Sequence, residues 1–142
     1  MYYVVEVTDW DWSLWFGVSN IPEREGPYDD YRHLDLRGTL LRPSKLKCAT
    51  VGLHFLPDKR LNEGERERNQ PVSVGHLNLR AGHMNGIMSM PADALPLLLT
   101  LAAAEKLRYV VIQGDPFRYG NAAVKSFRVE MSIDEDDLPV DE

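Results

Sequence analysis

Alternation of apolar and polar side chains dominates this chain, and it predicts strands. In "WDWSLWFGV" (10–18), Trp10, Trp12, Leu14, Phe16 and Val18 fall on one face, with Asp11, Ser13, Trp15 and Gly17 on the other. That period-two pattern predicts a half-buried strand with Trp10 and Trp12 as core anchors, and with Trp15 on the far face under a second layer. The preceding "YYVVEVT" (2–8) reads as a strand by its β-branched and aromatic content. "YRHLDLRGTLLRP" (31–43) sets Leu34, Leu36 and Leu40 against His33, Asp35, Arg37 and Thr39. "LKCATVGLHFLP" (46–57) sets Ala49, Val51, Leu53 and Phe55 against Thr50, Gly52 and His54. "VSVGHLNLR" (72–80) and "MNGIMSM" (84–90) follow, joined by a tight "AGH". "YVVIQGD" (109–115) is apolar throughout, as a strand covered on both faces is. "KSFRVEMSI" (125–133) alternates again through Phe127, Val129, Met131 and Ile133.

One stretch departs from that period. "DALPLLLTLAAAEKLR" (93–108) predicts a helix with Asp93 as N-cap, Pro96 in the first turn, and Lys106 and Arg108 at the end where the helix dipole favours cations. Its nearly unbroken apolar run implies cover on more than one side. With "GIMSM" before it and "YVVIQG" after it, the helix is a candidate β-α-β crossover. "DKRLNEGERERNQP" (58–71) contains almost nothing apolar and predicts an exposed loop.

Glycine and proline punctuate this pattern. Gly17/Pro22, Gly38/Pro43, Gly52/Pro57 and Gly86/Pro91 share a separation of five, where random placement gives roughly 0.6 such pairs. Each pair closes a predicted strand, so the spacing reads as strands that bend at a glycine and stop at a proline, as curved sheets require. The expected architecture is α+β and mainly antiparallel. Seven to eight strands form a curved sheet, or a two-layer sandwich or half-barrel, with one covering helix at about 93–108.

Composition narrows the classes. An apolar fraction of 44% and a charged fraction of 27% are those of a globular domain, assigned to residues 1–133. Of the 22 acids, six lie in "DEDDLPVDE" (134–142), which reads as an acidic, disordered tail; the other 16 balance the 16 Lys and Arg. A neutral body has no excess charge with which to hold a phosphate backbone, so nucleic acid is not expected. The N-terminal stretch lacks a signal-peptide pattern, no run is long enough to span a bilayer, and Cys48 has no second thiol. These features give a cytoplasmic expectation without membrane contact. Lys45 and Lys47 flank Cys48, whose apolar strand setting reads as an inert core thiol.

No phosphate loop, dinucleotide fingerprint or nucleophile elbow is present, and "GDPFRYG" (114–120) lacks the Lys and Ser/Thr of a phosphate loop. No cofactor is expected. The leading functional expectation is a small non-catalytic binding or assembly module, with a protein partner or self-association through a strand edge or aromatic face. A small enzyme or metal-binding protein is the first alternative, if His33, Asp35, His54 and His76 converge across neighbouring strands. A small-ligand or carbohydrate binder is the second, with Trp15, Tyr28 and Tyr119 as aromatic platforms.

Overall fold

The structure, a computed structural model, describes residues 1–19, 26–64, 66, 73–138 and 140–141. Its strands are β1 (Tyr2–Val18), β2 (Tyr28–Arg42), β3 (Thr50–Asp58), β4 (Gly75–Arg80), β5 (His83–Pro91), β6 (Tyr109–Gly114) and β7 (Asn121–Glu130). The helix α1 spans Leu95–Ala103. The pairings run β1-β2-β3-β5-β4-β7-β6 and return to β1, closing a ring. Every pair is antiparallel except β3 with β5. The fold is α+β and mainly antiparallel, as the alternation predicts.

The parallel pair has a topological cause. The chain after β3 skips one strand position before β4 begins. The hairpin partner β5, turned at Ala81 and Gly82 with positive φ, fills the gap between them. Strands β5 and β6 run in opposite directions, because β5–β4, β4–β7 and β7–β6 are each antiparallel, so the sequence around the helix is not a β-α-β crossover. Asp58 caps a 3-10 turn over Lys59–Leu61 by accepting from the Arg60 N–H. Glu65 and residues 67–71 of the expected loop, Val72 of the expected strand after it, residues 20–25 with Pro22 of the first Gly–Pro pair, and Pro139 and Glu142 of the acidic segment lie outside the described residues.

Inward-facing side chains from all seven strands meet inside the ring, where Tyr3, Leu34, Phe55, Leu77, Met84, Met88, Ile112 and Val124 are fully buried. Gly86 faces the same interior. A Cβ there would lie 2.8 Å from Leu77 Cδ2 and 2.9 Å from Leu53 Cδ2, so two leucines occupy the room the glycine leaves. At Gly38 the approach is between backbones: a Cβ would fall 2.1 Å from the Glu6 carbonyl oxygen of β1. Two of the four Gly–Pro glycines therefore mark close packing in a curved sheet.

Strand β1 is one element where the alternation suggested two. Val7 pairs with Gly38 and Asp9 with Arg37, which leaves Thr8 as the extra residue of a bulge. That residue moves the inner face from Tyr3, Val5 and Val7 to Trp10, Trp12 and Leu14, so the apolar side stays continuous although the sequence changes parity.

The helix is shorter than its apolar run. Asp93 belongs to a 3-10 turn and takes its own partner, donating its N–H to Asn62 Oδ1 at 3.1 Å, while Ala94 occupies the N-cap position without a side-chain cap. The end is set by backbone geometry: Glu105 has φ 58°, and the Lys106 N–H donates to the Leu101 carbonyl at 2.9 Å. This Schellman-type closure releases Leu107 and Arg108 toward β6. Leu95 and Ala102 join the core cluster while Leu97 is exposed, so α1 is covered on one side only. No helix among the described residues is long and apolar enough to cross a membrane. In the acidic segment, Asp134 caps a 3-10 turn over Glu135–Asp137, and the Asp141 carboxylate accepts from the Ser44 N–H at 2.7 Å and from its hydroxyl.

Candidate functional site

Strand lengths locate the site. β6 pairs with β1 only over Tyr2–Glu6, and β3 pairs with β2 only over Leu34–Gly38. Beyond those rungs β1 and β2 pair with each other alone as far as Val18 and Tyr28, forming a two-stranded ribbon that leaves the ring. An isolated two-stranded ribbon is marginal in water, and this one does not hide its apolar side chains. Trp12, Leu14, Phe16, Val18 and Tyr28 on the inner face, and Trp15 and Tyr31 on the outer, are each more than half exposed. Of the two expected core anchors, Trp10 is half-buried and packs against the core cluster at the ribbon base, whereas Trp12 is 51% exposed. Trp15 is equally exposed, and among the described residues no second layer covers it. Of the three tryptophans of the chain, Trp15 stands on the two-stranded part, while Trp10 and Trp12 lead into it opposite Leu36 and Leu34, which still pair with β3.

The ribbon is ordered by its own contacts. Phe16 and Tyr28 stack at 5.7 Å between centroids with 17° between planes, and Tyr31 meets His33 edge-on at 5.3 Å. Arg32 Nη2 donates to Asp30 Oδ2 at 2.6 Å, and Arg37 Nη2 to Asp9 Oδ2 at 2.6 Å. The Arg37 hydrogen bond and the Trp10 N–H hold the Asp9 carboxyl below its ordinary range. Between the inner face and α1 lies a groove of about 400 Å³ lined by Trp12, Leu14, Phe16, Leu95, Pro96 and Leu99. A second concavity, about 880 Å³, opens at the opposite end of the ring. There the β6–β7 connection meets Met1, and His76, Ser89, Asp115, Phe117, Arg118 and Asn121 line it.

The structure brings three of the four predicted metal-site residues together. Asp35 and His54 are cross-strand partners with Oδ1 and Nδ1 2.6 Å apart, and His33 Nε2 lies 3.7 Å from Asp35 Oδ2. His76 is two strands away from His54, with Ile87 on the rung between them. Among the described residues no group of three His, Cys, Asp or Glu side chains could hold a metal ion. Trp15, Tyr28 and Tyr119 do not share a surface. Trp15 and Tyr28 take opposite faces of the ribbon, and Tyr119 projects into solvent from the β6–β7 connection at the other end of the ring. Cys48 packs partly against the core and donates to the Thr50 carbonyl at 3.2 Å, and burial raises its thiol pKa.

Sequence reasoning singled out Trp15 and Tyr28 but missed Trp12, Leu14, Phe16, Val18 and Tyr31 as surface groups. The available signal was length. The alternating stretches around 2–18 and 31–43 are far longer than strands such as 109–114, and a closed ring has no partner for the excess. Comparison with protein-family models, with curated proteins and with solved structures finds no match to this chain.

Proposed function

We propose that this chain is a non-catalytic binding or assembly module of the cytoplasm that docks protein partners through its aromatic ribbon. One observation carries the reading: seven large apolar side chains, each more than half exposed, are concentrated where the β1–β2 pair leaves the ring. Five of the seven share the inner face, and exposed apolar surface of this kind marks an interaction site on a folded domain, with aromatic side chains the usual energetic anchors of such sites. The charge of the ribbon points to protein over nucleic acid. Asp9, Asp11, Asp29, Asp30 and Asp35 outnumber Arg32 and Arg37, and an acidic excess repels phosphates.

The test is site-specific photo-crosslinking in the expressing cell. Benzoylphenylalanine at Phe16 or Tyr31 is expected to give discrete cross-linked species, and the same group at Tyr119 none. Absence of any product from both ribbon positions would remove the reading. The alternative of a metal-dependent or hydrolytic site rests on the Asp35–His54 contact with His33 beside it. Stoichiometric metal in purified protein, together with chelator-sensitive unfolding, would favour it.

A further inference from the structure

The ribbon has two edges, and they are not alike. Along β2, Tyr31 and Arg32 share a concavity with Pro57, Asp58, Lys59 and Arg60 from the end of β3 and its 3-10 turn. Proline and cations are the usual means of blunting an edge. Along β1, the β6 ladder ends at Glu6 and one further bond joins the Val7 N–H to the Arg108 carbonyl at 2.7 Å. From there to Val18, among the described residues, the side of β1 away from β2 carries no strand, and the stretch holds no Pro, Lys or Arg.

The direction of the backbone groups follows from three bonds. The Ser19 N–H donates to the Pro27 carbonyl at 2.8 Å, toward β2. The Trp10 and Trp12 N–H groups instead donate to the carboxylates of Asp9 and Asp11, at 2.9 and 2.8 Å, off the open side. Backbone groups alternate sides along a strand. Trp10, Trp12, Leu14, Phe16 and Val18 therefore present N–H and C=O to the open edge, and the same five carry the apolar inner face.

We propose that the occupant of this edge is a second copy of the chain, joined antiparallel along β1 with Leu14 opposite the partner's Leu14. The proposal rests on the ribbon being the docking element and names what docks there. In this two-fold register Trp12 meets the partner's Phe16 and Trp10 the partner's Val18. Each of the five open-edge residues thus finds another of the five, as an isologous contact requires. On the outer face Ser13 meets the partner's Trp15 and Asp11 the partner's Gly17, so no carboxylate opposes another. Each open-edge rung exchanges two backbone hydrogen bonds. The resulting β2-β1-β1-β2 sheet replaces two marginal ribbons with one four-stranded layer. Asp9 and Asp11, which bond the outward N–H groups of Trp10 and Trp12, oppose this pairing at the base of the edge, where Glu105, Leu107 and Arg108 also share a concavity with Thr8 and Trp10; among the described residues no side-chain hydrogen bond caps the N–H of Leu14, Phe16 or Val18.

The experiment uses the full chain with Cys48→Ser as background. Light scattering is expected to show the mass doubling from 16.2 kDa as concentration rises through the micromolar range. In the expected register Leu14→Cys brings two thiols within disulfide reach, since exchanged pairs place Cα atoms about 5.5 Å apart and disulfides span roughly 4.4–6.8 Å. Leu14→Cys is expected to cross-link into a covalent dimer. Trp12→Cys alone, offset from itself by four residues or about 13 Å, is not. A mixture of Trp12→Cys and Phe16→Cys is expected to cross-link. Leu14→Lys, at a position already half exposed, is expected to fold and to remain monomeric at every concentration. A strictly monomeric parent overturns the inference, as does a dimer that survives Leu14→Lys or fails to cross-link through Leu14→Cys. A monomeric parent whose ribbon still photo-crosslinks to a different protein overturns this inference and leaves the ribbon as the docking element. Loss of all ribbon cross-links removes both.

Discussion

Two phenylalanines with the same chemistry and opposite surroundings separate core from docking surface. Phe55 is fully buried in the ring, between the rungs to Leu34 and Met88, with Phe127 edge-on at 5.2 Å. Phe16 is 67% exposed on the ribbon and stacked on Tyr28. Truncating a buried Phe to Ala removes its transfer free energy and leaves a cavity, together about 3–5 kcal/mol. Phe16 buries a third of its surface. Against about 1.5–3 kcal/mol for full burial of a large apolar side chain, that is worth roughly 0.5–1 kcal/mol, with about 0.5 kcal/mol more for the ring pair. A domain of this size has about 5–15 kcal/mol in all. Phe55→Ala is therefore expected to remove a large part of the stability, and Phe16→Ala little. The assay is urea unfolding at sub-micromolar protein, where self-association is absent, with the midpoint shift read at constant slope. If Phe16→Ala costs as much as Phe55→Ala under those conditions, the ribbon is core and the docking argument fails.

Two other outcomes follow from the same geometry. Gly38→Ala places a methyl 2.1 Å from a main-chain oxygen and must part β1 from β2, so a loss above about 2 kcal/mol is expected in thermal melts. Gly52→Ala, whose nearest neighbour is the movable Asn85 Oδ1 at 3.2 Å, is expected to cost under about 1 kcal/mol, and equal effects would refute the crowding argument. The carboxyls of Asp9, Asp58 and Asp141 are held below the ordinary range by side-chain hydrogen bonds from Arg37, Arg60 and Ser44 respectively. The unfolded chain protonates first on acidification, so their contribution is complete above about pH 4 and is lost as pH falls through the depressed values. Melting temperature should fall as pH drops below about pH 4, and Asp58→Asn should make that fall shallower.

The periodicity was enough to read the class and most of the strands, because inside a ring each strand has one wet and one dry face. It failed where tertiary context overrides parity. Trp12, Leu14 and Phe16 continue the dry face of β1, yet the core that the strand packs against reaches only as far as Trp10. The bulge at Thr8 hid the continuity of β1, since an inserted residue looks like a break to any period-two count. The helix was overextended because Leu107 is apolar and buried although it lies past the turn at Glu105. Neither the closure of the ring by β1 and β6 nor the parallel β3–β5 rung has a local signature, since both join residues far apart in the chain. The same holds for Asp35 and His54, which only the strand order makes neighbours.

A single unbroken strand of 17 residues serves both as a stave of the ring and as a mast beyond it. No hinge separates the two, and the mast is braced by β2 along its whole length. Whatever grips the mast thereby fixes the heading of the entire body. Copies held in this way would stand at one set angle to each other, as parts of a frame do and beads on a string do not.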